Sequence, residues 1–250
     1  MERWQGKVAI VTGASSGIGA ATVKELVKAG MITVGLARRL EQVKALKASL
    51  PTDAAARLHA FKCDVSKEDD IVEAFKFVED NFGGVDVLVN NAGVYQKVDL
   101  LEAGNTATLR QSLDVNVLGL TLCSREAFQS MQKRGVAGHI IHINSIEGHK
   151  VQNYPGANLY PASKFAVTAI TETMRNELRN AGTKIKVTSI SSGFVKTPMV
   201  DLCDEYAGFD TTMMPMLQPE DIAHGILYAL GTPPHVQVHE LTIKPIGEPV

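Results

Sequence analysis

The sequence predicts an α/β fold: a single doubly wound domain over 1–250, with a parallel sheet of about seven strands and helices on both faces. Three observations predict it. Short β-branched apolar runs alternate with helix-period segments along the chain. A Gly-rich turn, Gly13-Ala14-Ser15-Ser16-Gly17-Ile18-Gly19, directly follows the first run. Short polar residues stand where successive runs end, and open α/β sheets bind ligands at those carboxyl ends.

The first run, 7–12, reads KVAIVT and suits a strand buried on both faces. A helical pattern carrying Ala20, Val23, Leu26 and Val27 follows through Gly30, and a second apolar run spans 31–37. The glycines are spaced GxxxGxG. They let the backbone turn sharply and approach a pyrophosphate, while the helix start offers free N–H groups. Gly13, Ser15, Ser16, Gly17, Ile18 and Gly19 are therefore candidate cofactor contacts. At the second strand's end, where a carboxylate would select NAD, the chain has Ala37-Arg38-Arg39. A guanidinium fork binds a phosphate, so Arg38 and Arg39 predict NADP(H).

Residues 40–50 read as a helix ending at Pro51, and 57–63 as a third strand closing on Asp64-Val65, with Asp64 a candidate for the adenine. An acid-led helix runs from 66 to 82. A fourth strand, 85–89, ends at Asn90-Asn91-Ala92-Gly93; Asn91, Ala92 and Gly93 are candidate cofactor contacts, and Asn90 suits structural turn duty nearly as well. One long helical stretch, 106–134, carries Asn116 among apolar neighbours, either a satisfied core amide or a water-holding group. The fifth strand, 139–144, brings Ser145 to its carboxyl end; His139 and His142 within it suit packing or surface positions. A loop over 146–159 precedes a helix to about 181, then come a sixth strand at 185–191, a helix from 219 to 230 and a last strand at 236–243. Between 194 and 218 lies an apolar, Met-rich segment expected to form a substrate lid.

Composition narrows the function. The net charge of -2, without a basic run or tail, argues against nucleic-acid binding. No apolar run is long enough to span a bilayer. The three cysteines, Cys63, Cys123 and Cys203, form neither a CxxC nor a zinc spacing. No metal site is expected, and a reducing, cytoplasmic setting is the simplest inference.

Tyr160-Pro161-Ala162-Ser163-Lys164 places a phenol and an ammonium one helical turn apart on one face. Free tyrosine titrates near pH 10, and a nearby cation favours the phenolate, which makes this pair a candidate acid–base.

Taken together, TGASSGIG at 12–19, NNAG at 90–93, Asn116, Ser145, YPASK at 160–164 and Ser192–Thr197 strongly resemble the short-chain dehydrogenase/reductase family, whose fold is Rossmann-type. The resemblance runs from about Gly6 to the C-terminus. It implies that Tyr160 is the general acid–base and that Lys164 lowers its pKa and holds the nicotinamide ribose. It implies that Ser145 hydrogen-bonds the substrate oxygen and that Asn116 holds a water in a proton relay. Gly193, Val195 and Thr197 would meet the nicotinamide end, with Val65 and Asn91–Gly93 also against the cofactor. Where such proteins usually carry Pro-Gly, this chain has Ser192-Gly193, which leaves that loop less rigid. MERW at the start, Cys123–Ala127 and GHIIHINS at 138–145 resemble the farnesol dehydrogenase-like group. That implies NADP-linked oxidation of a prenyl alcohol such as farnesol, or reduction of its carbonyl. Ketosteroid or dicarbonyl reduction on the same scaffold is the alternative, and a non-catalytic NADP sensor a further one. Family members form homodimers or homotetramers through two long helices, here near 106–134 and 158–181.

Overall fold

The structure, a computed structural model, describes residues 1–153, 156–201 and 214–248. Strands β1 (Val8–Thr12), β2 (Ile32–Ala37), β3 (Leu58–Lys62), β4 (Val87–Asn90), β5 (His139–Ser145), β6 (Lys186–Ser192) and β7 (Glu240–Ile243) form one sheet, ordered β3-β2-β1-β4-β5-β6-β7. Each neighbouring pair is parallel. The chain winds outward from β1 in one direction through β3 and in the other through β7, as expected. The reversal between β1 and β4 opens a crevice at their carboxyl ends.

The helices are α1 (Gly17–Lys28), α2 (Leu40–Ala45), α3 (Thr52–Ala56), α4 (Glu68–Phe82), α5 (Thr106–Leu113), α6 (Leu120–Arg134), α7 (Tyr160–Asn180) and α8 (Pro219–Gly231). Alternation along β1 divides the core. Ala9 and Val11 face Val23 and Leu26 of α1 and Ile222 and Ile226 of α8. Val8 and Ile10 face Ile71 and Phe75 of α4, Met131 of α6 and Leu178 of α7. Both faces of β1 are covered, and this is why its sequence is apolar without alternation.

Three elements differ from the sequence reading. The helix expected over 40–50 stops at Ala45, continues as a 3-10 turn at Leu46–Ser49 and is followed beyond Pro51 by α3. The stretch 106–134 is two α-helices joined by a π turn at Asp114–Gly119. The turn has a local cause. Gly119 lies so close to the Val65 carbonyl that a Cβ would sit 2.5 Å from it, and Asn116 is drawn to the backbone of Val94. The last strand is shorter than 236–243 because carbonyls before it serve side chains. Val238 O accepts Thr188 Oγ1 at 2.7 Å, and Pro233 O and Val236 O accept Lys186 Nζ.

His139 and His142 are buried within β5. His139 Nε2 meets Thr188 Oγ1 at 2.8 Å, and His142 is held between Ser124 and Thr171. Burial pushes both imidazoles down to about 3, so they are neutral packing groups.

Candidate active site

The carboxyl ends of the central strands open into a cleft of about 330 Å³, within the range of small-molecule sites. Of the candidate residues, all line this cleft except Gly19 and Asn116, which lie just behind it.

One wall is the turn after β1. Gly13 has φ +66°, and a Cβ there would sit 2.8 Å from Ala92 Cα; a Cβ on Gly19 would sit 2.4 Å from the Gly13 carbonyl. Only bare backbone fits. Thr12, at the end of β1, binds this turn to the end of β4. Its Oγ1 accepts the N–H groups of Asn91 and Ala92 at 3.0 and 2.9 Å, and Asn91 Nδ2 donates back to Thr12 O at 2.9 Å. Thr12 closed the first apolar run, so its position was legible although its hydrogen-bonding task was not. The result is a glycine cradle at the N-terminus of α1, which fits a dinucleotide pyrophosphate.

Arg38 and Arg39 are exposed at the rim. Arg39 donates to Ser15 Oγ and Ser16 Oγ at 3.1 and 3.2 Å. Asp64 Oδ1 accepts from Ser66 N and Ser66 Oγ at 3.1 and 2.7 Å. Burial raises the Asp64 carboxyl, but the Ser66 hydrogen bonds and the Arg38 charge outweigh it and hold the group below its usual range. These cations fit a phosphate at the ribose end.

The opposite wall carries the phenol and the ammonium. Tyr160 is the first residue of α7, with Pro161 next to it in the first turn, where its missing N–H leaves nothing unsatisfied. Asn158, with φ 44°, donates to Gln96 O and so ties the loop after β4 to the entrance of α7. Tyr95 stacks edge-on against Tyr160 at 5.5 Å, a contact that spacing did not foretell. Lys164 is buried one turn below; its Nζ donates to Ile143 O at 2.9 Å and lies 5.6 Å from the Tyr160 ring centroid. Burial lowers the ammonium to about 8. At the end of β5, Ser145 Oγ accepts Glu147 N–H at 3.1 Å, which leaves its O–H free to donate into the cleft.

Asn116 is fully engaged. Oδ1 accepts Val94 N–H at 2.8 Å, and Nδ2 donates to Val94 O and Ser163 Oγ at 2.9 and 3.1 Å. It anchors the loop after Asn91–Gly93 to α7. Both of its donors are spent, so any water it holds must meet the second lone pair of Oδ1 or its backbone.

The loop after β6 is stitched on both sides in spite of Ser192. Lys196 N donates to Leu217 O at 2.8 Å and Leu217 N to Phe194 O at 2.9 Å. Phe194 N donates to Glu248 Oε1, also at 2.9 Å. The side chain of Glu248, near the C-terminus, is fully buried, and Lys244 is 3.4 Å from its carboxylate. Nothing in the sequence pattern singled it out. Of the expected lid, Phe194, Met199, Val200 and Met214 line the cleft. Leu202, Tyr206, Phe209 and Met213 lie outside the described residues, as does Cys203. Burial raises the thiol of Cys63 to about 12.

Among the described residues, no helix is long and apolar enough to cross a membrane, and no three His, Cys, Asp or Glu side chains converge as metal ligands.

The model of the short chain dehydrogenase family matches residues 7–206. The chain is 64% identical over 248 residues to the farnesol dehydrogenase of Aedes aegypti, covering 99% of each. It is 42% identical over 251 residues to human dehydrogenase/reductase SDR family member 11, covering 98% of this chain and 96% of the relative. Among solved structures, the alcohol dehydrogenase from the archaeon Thermococcus sibiricus complexed with 5-hydroxy-NADP superposes with a TM-score of 0.84 at 26% identity, covering 98% of this chain and 99% of that one.

Proposed function

The chain belongs to the short-chain dehydrogenase family, and from that premise we propose that it is an NADP(H)-dependent alcohol dehydrogenase whose substrate is an apolar alcohol or its carbonyl, a prenyl alcohol such as farnesol. The observation that carries the chemistry is the buried Lys164 ammonium beneath the Tyr160 ring, across from Ser145 in one cleft.

The bound nicotinamide supplies the hydride acceptor in oxidation and the donor in reduction. The chain's own residues manage the oxygen and its proton. In oxidation the Tyr160 phenolate takes the alcohol proton, with Lys164 favouring the anion at neutral pH. The Ser145 O–H hydrogen-bonds the substrate oxygen and holds it beside Tyr160. In reduction Tyr160 returns the proton. Lys164 has donors beyond the one given to Ile143 O, and these would hold the nicotinamide ribose. Gly193, Val195 and Thr197 contact the nicotinamide end, and Asp64 and Val65 the adenine. Asn116 holds the relay water.

The cofactor choice is supported by Arg38 and Arg39 standing where an NAD enzyme usually carries a carboxylate. The substrate class is supported by the apolar lining of Phe194, Met199, Val200 and Met214 and by the name of the Aedes relative. One domain over 1–250, with a lid at about 194–218, houses the site. The oligomer is a homodimer or homotetramer built on α5, α6 and α7, where Leu113, Leu118 and Phe165 are exposed. Buried free thiols at Cys63 and Cys123 suit a reducing, cytoplasmic setting.

The test is nicotinamide absorbance with purified protein. NADP and NAD are offered with farnesol and other prenyl and aliphatic alcohols, and NADPH with ketosteroids and diketones. NADP-linked oxidation favouring prenyl alcohols is expected. Dominant ketone reduction would move the function to carbonyl reduction, and cofactor binding without turnover would make the protein a sensor.

A further inference from the structure

The chemistry above leaves the carboxyl of Glu147 unused. Glu147 lies two residues beyond Ser145, in the 3-10 turn Ile146–Gly148, and lines the same cleft. Only 6% of it is exposed. Among the described residues its Oε1 is buried without a hydrogen-bond partner, and its Oε2 has a single long contact, 3.5 Å, from Gln152 N–H. No cation pairs with it among the described residues.

A buried carboxyl left in this condition is costly. The surrounding structure neither exposes it nor neutralises it. Burial raises its pKa, with the Gln152 N–H opposing only weakly. The turn that carries it is fixed, because Glu147 N–H caps Ser145 Oγ at 3.1 Å. Glu147 is thus held close in the chain to Ser145, in a cleft whose lining also includes Val94, Phe194, Met199 and Val200. An apolar substrate would leave it unsatisfied. A substrate with a hydrogen-bond donor at that point would complete Oε2, whose one contact is long.

We propose that Glu147 is a second polar anchor for substrate, and that among prenyl and other apolar alcohols the better substrates carry, besides the reacting alcohol or carbonyl, a second hydrogen-bond donor, hydroxyl or amine, on the skeleton. This rests on the reading of Ser145 and Tyr160 as the reacting end. Ser145 and Glu147 are two residues apart, at most about 7 Å of backbone, so the donor is sought from two carbons outward along the skeleton.

The experiment compares monoalcohols with diols and amino alcohols of matched chain, with the second donor stepped along that range. Specificity constants are measured for wild type, Glu147→Gln and Glu147→Leu, with thermal melting to check folding. Wild type is expected to favour a donor-bearing alcohol over its monoalcohol about tenfold to a hundredfold. Glu147→Leu should bring that ratio to near one. Glu147→Gln, which keeps an acceptor but not the charge, should hold it for a hydroxyl and lose it for an amine. Binding to the protein–NADP complex is measured in parallel by calorimetry with Tyr160→Phe, which separates anchoring from chemistry. A Glu147-dependent binding preference without wild-type turnover would keep the anchor and overturn the assigned reaction. Turnover of monoalcohols with no preference for any second donor, in rate or binding, would overturn the anchor and leave the reaction standing. A preference that survives in Glu147→Leu would overturn it as well.

Discussion

Arg39 lies across the Gly-rich turn, its guanidinium on the hydroxyls of Ser15 and Ser16. Those hydroxyls are neutral acceptors, and a ribose 2′-phosphate offers the same fork a charged partner with more oxygens. The Arg38 charge is felt instead by Asp64, the candidate for the adenine. The two arginines therefore cover adjoining parts of one rim. The double variant Arg38→Asp, Arg39→Leu should shift the ratio of specificity constants towards NAD by about 10²-fold. An unchanged ratio would remove the phosphate argument. Lys164 belongs to the same scale. Its ammonium is surrounded by protein, held by one carbonyl and lowered to about 8 by burial, so it is still mostly charged at neutral pH. That charge is what the adjacent phenol needs.

The loop after β6 depends on elements far away in sequence. Ser192 fixes no backbone angle, but Leu217 binds the loop on one side and the Glu248 carboxylate takes the Phe194 N–H on the other. Both contacts fall where Val195 and Thr197 enter the cleft. Glu248→Ala should weaken NADP binding about tenfold, the scale of one buried charge-assisted hydrogen bond, with little change in turnover at saturating cofactor. Fluorescence titration of NADPH measures it, and an unchanged dissociation constant would show that the loop holds its form without the carboxylate. The π turn before α6 is the comparable device on the other wall: Gly119 against Val65 and Asn116 against Val94 bring this region up to the loops after β3 and β4.

At the scale of the molecule, Leu113, Leu118 and Phe165 expose apolar surface on the elements from α5 to α7. Paired Leu118→Glu and Phe165→Glu changes should lower the sedimentation mass below that of wild type; an unchanged mass would place the interface elsewhere. The doubly wound parallel sheet was legible in the sequence because buried parallel strands are continuous apolar runs separated by helix-period segments. The grouping of Tyr160, Lys164 and Ser145 was legible because strand ends and helix starts meet at one edge of such a sheet. Glu248 and Glu147 were not. Their importance comes from packing against residues distant in sequence or from burial, and neither leaves a local periodicity. The π turn was hidden for the same reason, since 106–134 has an uninterrupted helical pattern. The central claim is that Tyr160 moves the proton in an NADP-linked hydride transfer. It is tested most directly by measuring the turnover number and the NADPH dissociation constant of Tyr160→Phe. Turnover lowered by about 10²- to 10⁴-fold, with cofactor affinity nearly that of wild type, is the predicted result. Wild-type turnover in that variant would contradict it.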